Sequence, residues 1–232
     1  NIYSELKFMK KILGNPKNIN EDLISIINRT KINYFYIKNK KDFRDQILQE
    51  INSNDNVLDI GKAMRDRHDK INCNTIETLD VNDYGDYPNI ISDICSNISG
   101  LENKYDKIIC IAILEHVYNP FKAVENLKKM LRDNGKIYGM VPYLYHYHAP
   151  KDLKFQDYFR FSKDALAYLF KDYSSVELYP IRGRISTSFN MMFAGRWKKY
   201  MEKTNINIYL DKLSSDEKNL KQCSGFNFIV KK

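Results

Sequence analysis

From Asn56 onward the chain alternates short apolar runs with stretches of helical periodicity, and this alternation restricts the fold more than any other feature. Asn56–Ile60, Thr75–Leu79, Asn89–Ser92, Lys107–Ile111, Lys136–Val141 and Val176–Ile181 read as strands. The clearest helix runs from Pro120 to Arg132. Asn119 can cap it, Pro120 suits its first turn, Phe121, Val124, Leu127 and Leu131 form its apolar stripe, and Asn134-Gly135 ends it. A further helix begins after Ser162, an N-cap residue, and runs to about Phe170. Strands separated by helices imply βαβ units, and so an α/β fold with a doubly wound, mostly parallel sheet covered on both faces. Seven strands are expected. The last, with Phe226, Phe228 and Val230 on one face, follows a long irregular segment and is expected to add antiparallel, at or near an edge.

Residues 1–54 read as a helical extension in three pieces, marked by Leu6, Met9 and Leu13, by Leu23, Ile26 and Ile27, and by Phe43, Ile47 and Ile51. Residues 55–232 then form the main domain, with insertions expected at 142–162 and 182–222. A hydrophobic fraction of 43% and an aromatic fraction of 13% exclude a disordered chain. No stretch reaches the roughly 20 apolar residues that span a bilayer. The Lys-rich opening lacks an apolar core followed by a small-residue cleavage site. Cys73, Cys95, Cys110 and Cys223 show no CxxC spacing, which argues against a disulfide framework or zinc site and fits a cytoplasmic protein. Lysine and arginine exceed aspartate and glutamate by 37 to 29, a net charge of +8. The lysines are spread along the chain as a solvated surface, so no nucleic-acid partner is expected; an anionic small substrate fits better.

In an open parallel sheet, ligands bind beyond the carboxyl ends of the strands. After the first run stand Asp59, Ile60 and Gly61; Gly61 permits a tight turn and close backbone approach to a ligand. Asp59 is a carboxylate at the end of a buried strand, costly without a partner. Asp80 ends the second run, 21 positions after Asp59, where such folds hold a ribose diol. Asp93 ends the third. One such acid is usually a turn residue; three at successive strand ends mark a nucleotide site.

VLDIGKA at Val57–Ala63, TLD at Thr78–Asp80, SDI at Ser92–Ile94 and ILEHV at Ile113–Val117 look like successive motifs of one family. The chain resembles class I S-adenosylmethionine (SAM)-dependent methyltransferases, most closely the small-molecule enzymes whose fourth strand ends in Leu-Glu-His. The match runs from about Asp55 to Phe170, and ILEHV with its downstream helix is its most specific part. The resemblance implies SAM as cofactor, with S-adenosylhomocysteine as product. It places Asp59 and Gly61 at the methionine end, Asp80 on the ribose, and Asp93 with the Ile94 backbone on the adenine. Ile113, Leu114 and Glu115 would lie along the cofactor, and His116 would support their turn. The family usually has Gly-x-Gly where this chain has Gly61-Lys62-Ala63. Ala63 fits only without positive φ, and Lys62 either approaches the cofactor carboxylate or points to solvent. That departure keeps open a catalytically degenerate relative. An NAD-dependent oxidoreductase is the weaker alternative, since Gly-x-Gly-x-x-Gly is missing.

Methyl transfer from a sulfonium requires alignment with the acceptor, and a base where the acceptor is a hydroxyl or protonated amine. In this family the segment after the fifth strand faces the methyl group. Here it holds His146 and His148, candidate bases, together with Tyr143, Asp157 and Arg160. The spacing of His148, Pro150 and the Asp157–Ser162 run resembles methyltransferases of cell-surface saccharide biosynthesis, implying a saccharide or sugar-nucleotide acceptor. Asp157 and Arg160 either meet that acceptor or pair to fasten the loop. Arg182 and Arg184, with the basic stretch at Arg196 and Trp197, suit an anionic group. Nothing in the spacing supplies third and fourth ligands to His146 and His148, so no metal is expected.

Overall fold

The computed structural model describes residues 24–33, 43–152, 154–193, 204, 206–213 and 221–232. The Leu6–Leu13 piece, Leu23 and the Arg196–Trp197 stretch lie outside the described residues.

Eight strands form one sheet: β1 (Thr30–Ile32), β2 (Asn56–Ile60), β3 (Thr75–Asp80), β4 (Ile90–Ile91), β5 (Tyr105–Ile111), β6 (Leu131–Pro142), β7 (Ser175–Ile181) and β8 (Gly225–Lys231). Their order is β1-β7-β8-β6-β5-β2-β3-β4. All neighbours are parallel except the two pairs made by β8. The expected mostly parallel α/β sheet is therefore present, with two corrections. Among the described residues there are eight strands rather than seven, because Thr30–Ile32, expected within the helical extension, pairs with Val176–Leu178 at an edge. And β8 is antiparallel as expected but enters between β6 and β7 instead of lying at an edge. Burial explains that position, since Gly225 to Val230 are all buried, as only an interior strand would be.

Alternation along the strands divides the core in two. Leu58, Ile60, Ile108, Cys110, Ile137, Phe228 and Val230 face one layer; Val57, Ile109, Ile111, Tyr138 and Ile229 face the other. The first layer is closed by helices α2 (Pro120–Met130) and α3 (Lys163–Leu169), the second by α1 (Phe43–Glu50), whose Phe43 and Ile47 are buried there. The Asn119 side chain accepts the Lys122 N–H at 3.1 Å, and Pro120 occupies the first turn, as read from sequence. The buried stripe differs. It runs through Ala123, Val124, Leu127 and Met130, while Phe121 is 53% exposed and stacks edge-on against Tyr168. Leu131 already belongs to β6, so the helix stops before Asn134-Gly135. Ser162 caps α3 by accepting the Ala165 N–H at 3.2 Å.

Two helices occupy the stretch read as irregular, α4 (Arg184–Met192) and α5 (Ile206–Leu213). They meet at a buried Asp211, whose Oδ1 accepts the Gly183 N–H at 2.7 Å and contacts the Ser186 hydroxyl. Among the described residues, no helix is long and apolar enough to cross a membrane.

Candidate active site

The carboxyl ends of β2, β3, β4 and β5 open onto one cleft of about 630 Å³, within the size range of small-ligand sites. Its near wall is the turn after β2. Gly61 has φ +69°, and its N–H donates to the Leu79 carbonyl at 2.9 Å. A Cβ on residue 61 would collide with the Ile113 side chain, so the backbone reaches the cleft only because no side chain stands there. Lys62 follows at φ +56°, a conformation costing a non-glycine residue about 1–2 kcal/mol. Its ammonium sits 4.5 Å above the Tyr87 ring, a cation–π contact that offsets part of this. Ala63 has no positive φ and packs against the second core layer. Its departure from glycine therefore creates no strain.

Asp59 is fully buried beneath this turn. Its Oδ2 accepts the Met64 N–H at 3.0 Å and lies 2.8 Å from His68 Nε2, while Oδ1 has no partner among the described residues. Asp59 thus braces the turn rather than lining the cleft. Asp80 and Asp93 do line it. The Asn82 N–H donates to Asp80 Oδ1 at 3.0 Å, and the Cys95 N–H to Asp93 Oδ1 at 2.8 Å. The Ser92 N–H donates to the Asp80 carbonyl at 2.9 Å, holding the two acidic turns side by side. Asp93 also raises the pKa of the Tyr118 phenol beside it. Ile94, Ile113 and Val117 add apolar surface.

The far end of the cleft is built from the turn after β5 and the loop after β6, and contains His116, His148, Phe155, Gln156 and Tyr158. Backbone hydrogen bonds fold this loop back, the Tyr158 and Phe159 N–H groups both donating to the Glu115 carbonyl, at 2.8 and 3.2 Å. Asp157, half-buried with its carboxylate covered, accepts from Arg160 through both oxygens at 2.5 and 2.6 Å, and from the His148 N–H at 2.9 Å. Arg160 also donates to the carbonyls of Tyr145, His146 and Phe159. The guanidinium hydrogen bonds hold the Asp157 carboxyl down at about 2. Asp157 and Arg160 therefore pair and fasten the loop.

His116 Nδ1 lies 2.6 Å from the Gln156 carbonyl and must carry its proton toward it. His148 Nδ1 lies 3.4 Å from the His146 carbonyl, its hydrogen-bond partner, and 3.2 Å from Asp157 Oδ2. The two Nε2 atoms face each other at 3.1 Å. Beneath them Glu115 is 1% exposed, with Oε1 at 3.8 and 3.9 Å from the two Nε2 atoms and Oε2 without a partner. Burial pushes its carboxyl up to about 8 and holds the His116 imidazole below its ordinary value.

Among the residues singled out from sequence, Gly61, Asp80, Asp93, Ile94, Ile113 and His148 come together around the cleft. Lys62, Ala63, Leu114, Glu115 and His146 stand behind or beside its walls; Leu114 is fully buried core and His146 stacks on Tyr145. Tyr143 and Arg182 follow β6 and β7 further along the same edge; Tyr143 lines a separate cavity of about 190 Å³, and Arg182 donates to Ser224 Oγ at 3.3 Å. Arg184 opens α4. Sequence reasoning missed His68, and it gave His116 only a supporting part although ILEHV names it. The Lys154–Gln156 wall carries no motif, because its place depends on how the loop folds back.

The chain matches a family model described as a methyltransferase domain over residues 32–204. No curated protein shows significant sequence similarity to it. Solved structures share the fold. A SAM-dependent methyltransferase from Archaeoglobus fulgidus is 14% identical with TM-score 0.51, over 86% of this chain and 95% of the other. A Haloferax volcanii methyltransferase, solved with its Trm112 activator, is 14% identical with TM-score 0.52, over 84% and 89%. Phosphoethanolamine N-methyltransferase 2 from Haemonchus contortus, solved with SAM, is 11% identical with TM-score 0.52, over 85% of this chain and 55% of the larger enzyme. Since the family match covers residues 32–204 and runs through every strand that bounds the cleft, the chain belongs to the methyltransferase-domain family.

Proposed function

We propose that this protein transfers the SAM methyl group to an oxygen or nitrogen of a small acceptor, with a saccharide or sugar nucleotide as the acceptor class. The observation that carries the reading is the polarity of one cleft: two carboxylates, Asp80 and Asp93, at one end and a histidine pair at the other. A ribose diol offers two hydroxyl donors to Asp80. Asp93 and the Ile94 backbone suit an amino-substituted base, and the bare backbone of Gly61 suits close approach of the methionine portion. Asp59 supports this from below, its unpartnered Oδ1 being a buried acceptor that a cofactor ammonium would satisfy. Bound there, SAM supplies the activated methyl group.

The acceptor end is the corner made by His116 and His148, which draws the acceptor's proton away. Asp157 and Arg160 act through the loop they hold, and His146 through its stacking on Tyr145. Tyr143, Arg182 and Arg184 stand outside the cleft further along the same sheet edge, where the arginines suit an anionic group of the acceptor. Calorimetric titration with S-adenosylhomocysteine, followed by radiolabelled methyl transfer to a panel of sugar nucleotides, tests the proposal. Binding without transfer to any saccharide would overturn the acceptor class, and no binding would overturn the whole reading.

A further inference from the structure

We propose that Glu115, His116 and His148 form a site for a divalent transition-metal ion at the acceptor end of the cleft. The three residues bring one carboxylate and two imidazole nitrogens within 4.8 Å of one another. Hydrogen bonding orients both rings. His116 Nδ1 faces the Gln156 carbonyl and His148 Nδ1 faces the His146 carbonyl, with Asp157 Oδ2 3.2 Å away, so each ring turns its Nε2 toward the other. Two such nitrogens 3.1 Å apart are held by a proton or a metal cation between them.

A metal ion fits that gap. Bonds of about 2.05 Å to imidazole place tetrahedral ligand atoms about 3.3 Å apart, close to the separation of the two Nε2 atoms. Glu115 Oε1 stands about half an ångström beyond that edge, within reach of a small side-chain rotation, and its Oε2 is buried without a partner. The surroundings match those of metal-bound histidines, whose outer nitrogen donates to a carboxylate or carbonyl. Asp157 is itself fixed by Arg160, and that pair cancels in charge, so Glu115, on giving up its proton as the ion binds, supplies the net negative charge beside the cation. Three protein ligands leave a coordination position open toward the cleft that His116 and His148 line. An acceptor hydroxyl placed there would be polarised by the ion, which would then take over from the two imidazoles the easing of its proton loss, so the inference deepens the acceptor-end assignment and rests on it for this consequence only.

Cobalt(II), a coloured substitute for zinc, provides the test, titrated into the full chain without SAM or acceptor. One equivalent is expected to bind with visible d–d absorption, and Glu115→Gln and His148→Ala are each expected to weaken it at least tenfold. His146→Ala, which removes the neighbouring imidazole outside the cluster, is expected to leave the spectrum unchanged. Circular dichroism of each variant checks folding. If His148→Ala does not fold, ¹⁴N hyperfine coupling from two imidazoles to bound copper(II) in the unmodified chain decides the matter. Absence of cobalt binding, or binding indifferent to Glu115→Gln, overturns the site while leaving the methyltransferase reading standing. Failure to bind S-adenosylhomocysteine with cobalt binding intact does the reverse.

Discussion

Gly61 sits so close to Ile113 that a Cβ on residue 61 would fall on the isoleucine Cδ1. The turn after β2 and the turn after β5 are thereby locked together at the floor of the cleft. Gly61→Ala is expected to destabilise the protein by about 1–3 kcal/mol, from overpacking added to a left-handed φ of +69°. Adding Ile113→Ala removes the collision and leaves the backbone cost, so the double variant is expected to be less destabilised than the sum of the single changes. Denaturant unfolding of the four proteins in the cycle measures this coupling. Strict additivity would show that the two turns are independent.

Asp80 lines the cleft with a carboxylate that, among the described residues, accepts only the Asn82 N–H. Hydrogen bonds to a charged group contribute about 1.5–3 kcal/mol, so Asp80→Ala is expected to weaken S-adenosylhomocysteine binding roughly 10- to 150-fold. Asp80→Asn keeps one acceptor for the turn and is expected to lose less. Thermal stability without ligand is expected to change little, because the side chain is not buried. Calorimetry of both variants separates a ribose contact from a turn residue.

Much of this was legible in the sequence because it depended on local order. The apolar runs at Asn56–Ile60 and Lys107–Ile111 gave the strands, and Asp80 and Asp93 stood at the strand ends that the topology turns toward one cleft. Asn119 and Ser162 announced their caps directly. What escaped depended on distant contact. Thr30–Ile32 has no strand pattern of its own and becomes β1 because the edge of β7 offers it partners. Phe121 carries the helical period of a core residue, yet the face packed on the sheet runs through Ala123 and Met130. His116 and His148 are 32 positions apart, and only the return of the loop onto the Glu115 carbonyl brings them to 3.1 Å.

The Asp157–Arg160 pair carries that return. The Asp157 carboxylate is covered and meets the guanidinium through both oxygens, while Arg160 keeps about a quarter of its side chain in solvent. Asp157→Ala is expected to cost about 1.5–3 kcal/mol, and Arg160→Lys, which keeps the charge but loses the fork, a smaller amount. Limited proteolysis is expected to cut both variants first between residues 143 and 160. Cleavage beginning elsewhere at the same rate as in the unmodified protein would show that the pair does not hold the loop.

On the opposite face, Glu50 joins α1 to the sheet by accepting from Lys136 and Tyr138, each at 2.8 Å. Burial alone would raise its pKa, but the hydrogen bonds from Lys136, Tyr138 and Gln46 outweigh it and hold the carboxyl below its ordinary 4.5. A group depressed in the folded state contributes stability at pH values above its unfolded pKa and loses it as pH falls through the folded one. Stability at neutral pH therefore includes this contribution, and the acid limb of the stability curve is steepened below about 4.5, the value the side chain has when unfolded. Glu50→Gln keeps the shape and removes the ionisation. It is expected to lower stability by about 1 kcal/mol at pH 7, since the pair is partly exposed, and to flatten the curve between about pH 5 and 3. Denaturant midpoints of both proteins across that range measure the difference. A constant offset at every pH would mean that Glu50 contributes through packing and not through its charge.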